Sequence, residues 1–367
     1  MTTYRVQVRA WADTSTFGPG AIIAEFENPM NVGYADYIND VPEAFFTIQQ
    51  DSRYAPLLRG YEGRSHVWIY RNDELVHQGL WLETDNSPDD IVIYSYGYLA
   101  ALYWLHTDWA QEWTSAQVDT IITDLWNRAQ TTHTQSNVGF VGDGTIEAAV
   151  TTSGGATPLV LPLYTTYYKR ILFAMKELAA FSIGDTTNTV IFEIPPAASP
   201  VFNFWKNRGA DKPDVRFEWG DKKIAWYADR KYGVWQRSEL LAVGSSPNDI
   251  LLRKSVTDST VMTSIGRRQE SIFLAWVRDD TELDRVMDLR LSKAVRNDTD
   301  LMLRLYPDSL DPAPASSAGY RMGDRVYVKI DRGLTNYDGY LRVIGTQALS
   351  SRGSENVRLM LQEQHGA

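Results

Sequence analysis

The chain has 367 residues, 44% of them hydrophobic, and no cysteine. That length calls for two or three domains, each able to bury a core, and the missing thiols exclude disulfide frameworks, thiol nucleophiles and thiolate metal sites. The formal charge of −10 comes without any block of Lys or Arg, which argues against binding along a phosphate backbone.

The first hundred residues read as strands. Tyr4–Trp11 alternates with period two, and so do Ala44–Ile48, Ser65–Tyr70 and Ile91–Tyr96. Turn chemistry separates them at Phe17-Gly18-Pro19-Gly20, Arg71-Asn72-Asp73 and Asp85–Asp90. Many short strands at such spacing predict a barrel or sandwich. The N-terminus, Met1 to Arg5, enters this pattern without a signal-peptide apolar region, so assembly in a cytoplasm is expected. No apolar run reaches the length of a membrane span, and stable membrane insertion is not expected.

From residue 97 the period changes. Tyr98–Leu105 suits a short helix. Thr114–Ala129 suits a longer one, capped by Thr114 or Ser115, with Val118, Ile121, Ile122, Leu125 and Trp126 on one stripe. Gly139–Pro158 reads as a long loop, Thr166–Phe181 as a second amphipathic helix and Val190–Ile194 as a strand. Beyond Pro195-Pro196 the chain is β-rich again. One inserted helix near 280–295, capped by Asp279-Asp280-Thr281, shows Leu283, Val286, Met287, Leu291 and Val295 on one face. The Pro/Ser/Ala stretch Pro307–Gly319 is a linker, and strands follow to the end.

One comparison within the chain stands out. Gly63 opens an alternating strand, a turn follows, and a second strand leaves Gly79; Gly323 and Gly339 frame the same sequence of events at the same spacing of sixteen residues. A glycine opening a return strand suits a bulge or a barrel corner. The expected fold is therefore mainly β with α+β parts. It comprises two related antiparallel β-barrel domains, at 1–108 and 214–367, separated by a small α/β domain at 109–213.

The order of these segments resembles the tail-tip and baseplate hub proteins of tailed bacteriophages, often described as minor tail proteins. In the N-terminal third the resemblance rests on Phe45–Ile48, Leu57–Gly60, Val67–Gly79 and Tyr96–Leu99. In the C-terminal third it rests on Ser264–Glu270, the capped helix at 280–295, Leu301–Leu305 and Gly323–Val328. It implies two tube-like barrels per chain and a homotrimer forming a ring of pseudo-sixfold symmetry. Such a ring would join a hexameric distal tail protein ring to a threefold tip with its fibre or receptor-binding proteins. It would surround the channel that holds the tape measure protein and passes DNA without specific binding. The expected location is the virion, at the tail tip, after assembly in the host cytoplasm. An acidic chain would repel phosphates from the channel wall. The chain stops soon after the second barrel, so fibre or lytic functions are expected in other proteins.

Chemistry is thinly represented, and no catalytic residue, cofactor or metal site is assigned. His66, His77, His106, His133 and His365 show no metal-ligand spacing. His66 alternates with Trp68 and Tyr70, which predicts a packed histidine rather than half of a His66/His77 pH switch. Gly142–Thr145 lacks the Gly-Lys-Ser/Thr end of a phosphate loop and reads as a turn. Asp89-Asp90 and Asp279-Asp280 read as a turn and a helix N-terminus rather than paired glycosidase carboxylates. Asn297-Asp298-Thr299 is a chance glycosylation sequon. Trp104, Trp109, Trp113 and Trp126, with Tyr96, Tyr98 and Tyr103, are the ingredients of a carbohydrate platform, which leaves a glycan-binding β-sandwich module as the alternative function. Their helical setting favours core or subunit contact, and Trp104, Trp109 and Trp113 are the candidate contact residues.

Overall fold

The computed structural model describes residues 2–12, 19–107, 111–131, 160–166, 169–182, 190–197, 202–206, 209–231, 236–245, 251–274, 280–295, 299–306, 319–351 and 354–363. The first stretch contains β1 (Tyr4–Trp11), β2 (Pro19–Glu27), β3 (Asn31–Tyr37), β4 (Glu43–Gln49), the single turn α1 (Ala55–Leu58), β5 (Ser65–Arg71), β6 (Glu74–Asn86) and β7 (Asp90–Gly97). A 3-10 turn, Tyr98–Tyr103, leads to β8 (Gln111–Gln117), α2 (Val118–Thr131), β9 (Val160–Thr166), α3 (Ile171–Ser182), β10 (Val190–Glu193) and β11 (Asn203–Lys206). Then come β12 (Asp211–Glu218), β13 (Ile224–Lys231), β14 (Glu239–Ser245), β15 (Leu251–Thr257), α4 (Ser259–Ile265), β16 (Gln269–Leu274) and α5 (Asp280–Ala294). The chain ends through β17 (Thr299–Leu305), β18 (Arg325–Arg332), β19 (Thr335–Ser351) and β20 (Ser354–Glu363).

Thirteen strands form one sheet. Its first half runs β2-β1-β5-β6-β7-β4-β3 and its second β12-β18-β19-β20-β17-β13. Leaving β2 aside, the two halves have the same strand order and the same chain order. All pairs are antiparallel except β12 with β18, which is parallel. The fold is mainly β as expected, and among the described residues the sheet is not closed into the expected barrels. Among the described residues β2 does not pair with β3, nor β12 with β13, and the halves are instead continuous through β3 and β19.

The inward positions of both halves merge into one apolar core. Val6, Val8, Phe46, Val67, Ile69 and Ile93 from the first join Leu303, Val326, Val328, Val343 and Leu359 from the second, all at 0% exposure. Each such side chain contributes about 1.5–3 kcal/mol on burial.

A second core lies under the helices. The predicted stripe of α2 is buried as expected, and Trp126 stacks on Phe202 with centroids 4.3 Å apart. Leu172, Met175 and Leu178 of α3 join it, as do Leu283, Val286 and Met287 of α5 and Leu240 and Ala242 of β14. The start of α2 differs from expectation. Thr114 and Ser115 lie in β8, and the helix begins at Val118, because the distant segment Val160–Thr166 provides a ladder partner for residues 111–117. For the same reason Thr166 ends a strand, and α3 begins only at Ile171. The inserted α5 is present, accompanied by the three-stranded sheet β15-β14-β16 and by α4. Asp258 caps α4 by accepting from the Val261 N–H at 2.9 Å. The Gly139–Pro158 loop, the Asp279 cap, Gly142–Thr145 and all of the 307–319 linker except Gly319 lie outside the described residues.

Candidate functional site

The informative site is the seam where the halves join. β19 is 17 residues long and serves both. Residues Thr335–Arg342 pair with β18, residues Gly345–Ser351 pair with β3, and β20 flanks Leu341–Ser351 on the other side. Between the two partners the register slips at Ile344, a bulge that turns the strand from one half toward the other.

Next to this seam lies a buried ion pair. Arg71, the last residue of β5, donates from Nε to Glu355 Oε1 at 2.8 Å and from Nη2 to Oε2 at 2.6 Å. Tyr4 Oη donates to Glu355 Oε1 and Thr2 Oγ1 donates to Oε2 at 3.3 Å. Burial alone would raise the Glu355 carboxyl, but the Arg71 and Tyr4 hydrogen bonds outweigh it and hold the group below its ordinary value. At the outer rim Ser351 Oγ donates to Asn31 Oδ1 at 2.8 Å.

The middle segment is fastened to the first half by side chains that imitate backbone. The Gln78 amide donates to Ala197 O at 2.7 Å and accepts from Ala197 N at 3.0 Å, and Asn39 Oδ1 accepts from Phe192 N at 2.8 Å. Between these clamps and the second half lies a cavity of about 130 Å³, lined by Asp36, Asp40, His77, Glu193, Arg321 and Thr346 among others.

The glycine pairs behave unequally. Gly63 and Gly323 both take positive φ, 68° and 89°. Each donates its N–H to the return strand at 2.9 Å, to Trp81 O and Val343 O respectively. Trp81 and Val343 are equivalent, since each directly precedes a bulge, at Leu82 and Ile344. Gly79 and Gly339 are therefore not equivalent: one lies two residues before its marker and the other four. Gly79 is held close to β7, where a Cβ would lie 2.3 Å from Tyr96 O, whereas Gly339 faces open space.

The histidines offer no reactive arrangement. His66 is buried with its ring 5.6 Å from that of Tyr98. His77 contacts Ser95 Oγ at 3.0 Å, and burial pushes its pKa down to about 3, so it is neutral at ordinary pH. The two pair with different residues, Leu80 and Ile69, and do not form a couple. His106 is exposed; His133 and His365 lie outside the described residues. Among the described residues no group of three or more His, Asp or Glu is placed to hold a metal ion, and no helix is long and apolar enough to cross a membrane.

The aromatic candidates also separate. Trp104 is 58% exposed and follows Tyr103, whose ring lies 5.9 Å from that of Phe173. Trp113 is half-buried and donates from Nε1 to Asp124 at 2.9 Å. Trp109 lies outside the described residues. Trp126 and Tyr98 are core residues, so they do not contribute to a glycan platform.

No family model matches the chain, and no curated protein matches it in sequence. Solved structures do. A tail protein from Neisseria meningitidis MC58 superposes with a TM-score of 0.64 over 98% of this chain and 97% of its own, at 14% identity. The 43 kDa tail protein of prophage MuSo2 from Shewanella oneidensis gives 0.63, covering 97% of each chain at 10% identity. A chain of the Francisella PdpA–VgrG complex gives 0.54 at 8% identity, with 99% of this chain covering 53% of that one. The chain therefore has the fold of phage tail proteins along nearly its whole length.

Proposed function

We propose that the chain is a structural subunit of a phage tail tip or baseplate, working as a hub. Three copies form a ring in which each contributes two alike β units, so that a threefold object presents six similar faces. The observation that carries this reading is the repeated strand order of the two halves within one sheet. The fold shared with tail proteins over full length supports it.

In this reading the β units near 1–108 and 214–367 are diverged copies. The 109–213 unit and the β14–α5 insertion share a core and make outward contacts. The ring adapts a hexameric distal tail ring to a threefold tip, and its channel holds the tape measure and then passes DNA. The reading calls for no catalytic group. Its test is the mass of the purified chain: light scattering should give three times 41.6 kDa, and averaged electron micrographs should show a ring of six lobes. A stable monomer at every concentration tried would overturn it.

A further inference from the structure

Resting on the ring reading above, we infer that the seam inside each chain is repeated between chains: β13 of one copy adds as a strand to the exposed end of β6 in the next. Among the described residues the outer edge of β13 and one edge of the β6 end stay unpaired. β3 and β13 hold the same place in their halves, beyond β4 and β17 respectively. β3 uses its outer edge to pair with β19 after the bulge at Ile344. Among the described residues β13 pairs with β17 alone. β6 is the counterpart of β19, and after its own bulge at Leu82, residues Glu83–Asn86 pair with β7 alone among the described residues. Among the described residues one chain thus leaves unused one copy of each partner in the seam it already makes. A head-to-tail contact of that kind is how a ring closes.

Register can be carried across residue by residue. Glu83–Asn86 correspond to Gly345–Ala348, since Glu83 faces Tyr94 and Gly345 faces Met360 directly after the bulges. Ala35 corresponds to Arg230, because Ala35 faces Glu43 and Arg230 faces Asp300 at equivalent points. In the internal seam Gln347 faces Ala35 and Thr346 faces Asp36. The external seam then sets Asp85 opposite Arg230 and Thr84 opposite Lys231. Asp85 and Arg230 are both exposed, and they fall on the same outward side.

The charges agree with this register. The β6 end offers Glu83 and Asp85, and β13 ends in Arg230-Lys231; opposite charges directly across two strands favour pairing. A cleft of 410 Å³ runs along Thr84 and Asn86, leaving space beside this strand end. Trp226, 46% exposed on β13, shares the outward side with Arg230 and would be covered. An open strand edge without proline is otherwise a hazard that proteins blunt, as β12 does here with Pro213.

The absence of native cysteine makes the test clean. The full chain carrying both Asp85→Cys and Arg230→Cys is oxidised and run without reductant, beside each single variant and beside Asp85→Cys with Trp226→Cys, four residues out of register. Directly opposed residues lie within disulfide reach, so the 85/230 variant should give a covalent trimer in at least about ten-fold excess over the other three. A chain that is trimeric by light scattering yet yields no 85/230 disulfide, or yields as much from 85/226, overturns this interface and leaves the ring standing. A chain that is monomeric and unlinked overturns both.

Discussion

Arg71 and Glu355 meet as a two-pronged, buried ion pair although 284 residues separate them. One belongs to the end of β5 and the other to the start of β20, so the pair links the two halves next to the β3–β19 seam. Its side chains are 7% and 3% exposed, which removes the screening that makes surface pairs weak.

Breaking this pair from one side should be costly. Arg71→Ala leaves a carboxylate buried without its cation and should lower unfolding stability by about 3–5 kcal/mol in a urea titration. Replacing both, as Arg71→Met with Glu355→Leu, removes the desolvated charges together and should cost much less than the single change. If the double variant is as unstable as Arg71→Ala, the ion pair is not the source of the loss.

Acid should loosen the fold in two steps with the same sign. His77 is a base whose folded pKa lies near 3 against about 6.5 unfolded. Between those values the unfolded chain binds more protons, so stability falls as pH drops below 6.5, by up to about 1.4 kcal/mol per unit. Glu355, held below the ordinary carboxylate value, adds a loss as pH falls below about 4.3. Stability measured by urea titration from pH 7 to 5 should slope in the native chain and flatten in His77→Gln.

The four framing glycines should respond differently to alanine. Gly79→Ala drives a Cβ against the Tyr96 carbonyl and should cost about 1–3 kcal/mol or more. Gly63→Ala and Gly323→Ala place a side chain at positive φ and should cost about 1–2 kcal/mol. Gly339→Ala, facing open space, should stay within about 0.5 kcal/mol of the native chain. Thermal melts of the four would check the ranking.

Trp104 and Trp126 should separate assembly from folding. Trp126→Ala empties a core position stacked on Phe202 and should cost about 3–5 kcal/mol. Trp104→Ser alters an exposed ring and should leave the melting temperature nearly unchanged, while lowering the fraction of chain assembled in a light-scattering titration. Equal effects on both measurements would remove Trp104 from the contact candidates.

Local pattern made β1, β4, β5 and β7, the α2 stripe and the α5 face legible, while β2 and β3 were missed and Pro19-Gly20, read as a turn, lies in β2. Pairing partners were not legible. Residues 111–117 read as the beginning of a helix because Val160–Thr166, which makes them a strand, is remote in the chain. The equal glycine spacing was genuine but only half structural. The β5–β6 turn falls one residue earlier than its counterpart, which shifts the return strand by two, and the bulge at Val76 takes back only one, so Gly79 and Gly339 occupy different places. Nothing in the sequence marks Arg71 or Glu355 as partners. Gln78, Asn39 and the β3–β19 ladder were equally silent, since each depends on a contact made only after the halves meet.

β19 also determines how the molecule bears load. At about 3.3 Å per residue it is a strut of roughly 55 Å, bonded to β18 along its first part, to β3 along its last, and to β20 throughout most of the second. A pull that separates the halves lengthwise along β19 strains all the Gly345–Ser351 ladder bonds to β3 at once, instead of opening them one after another. Two units tied in shear cannot swivel separately. In the proposed ring, any widening of a central passage would have to come from copies tilting as whole bodies, hinged at the contacts between them.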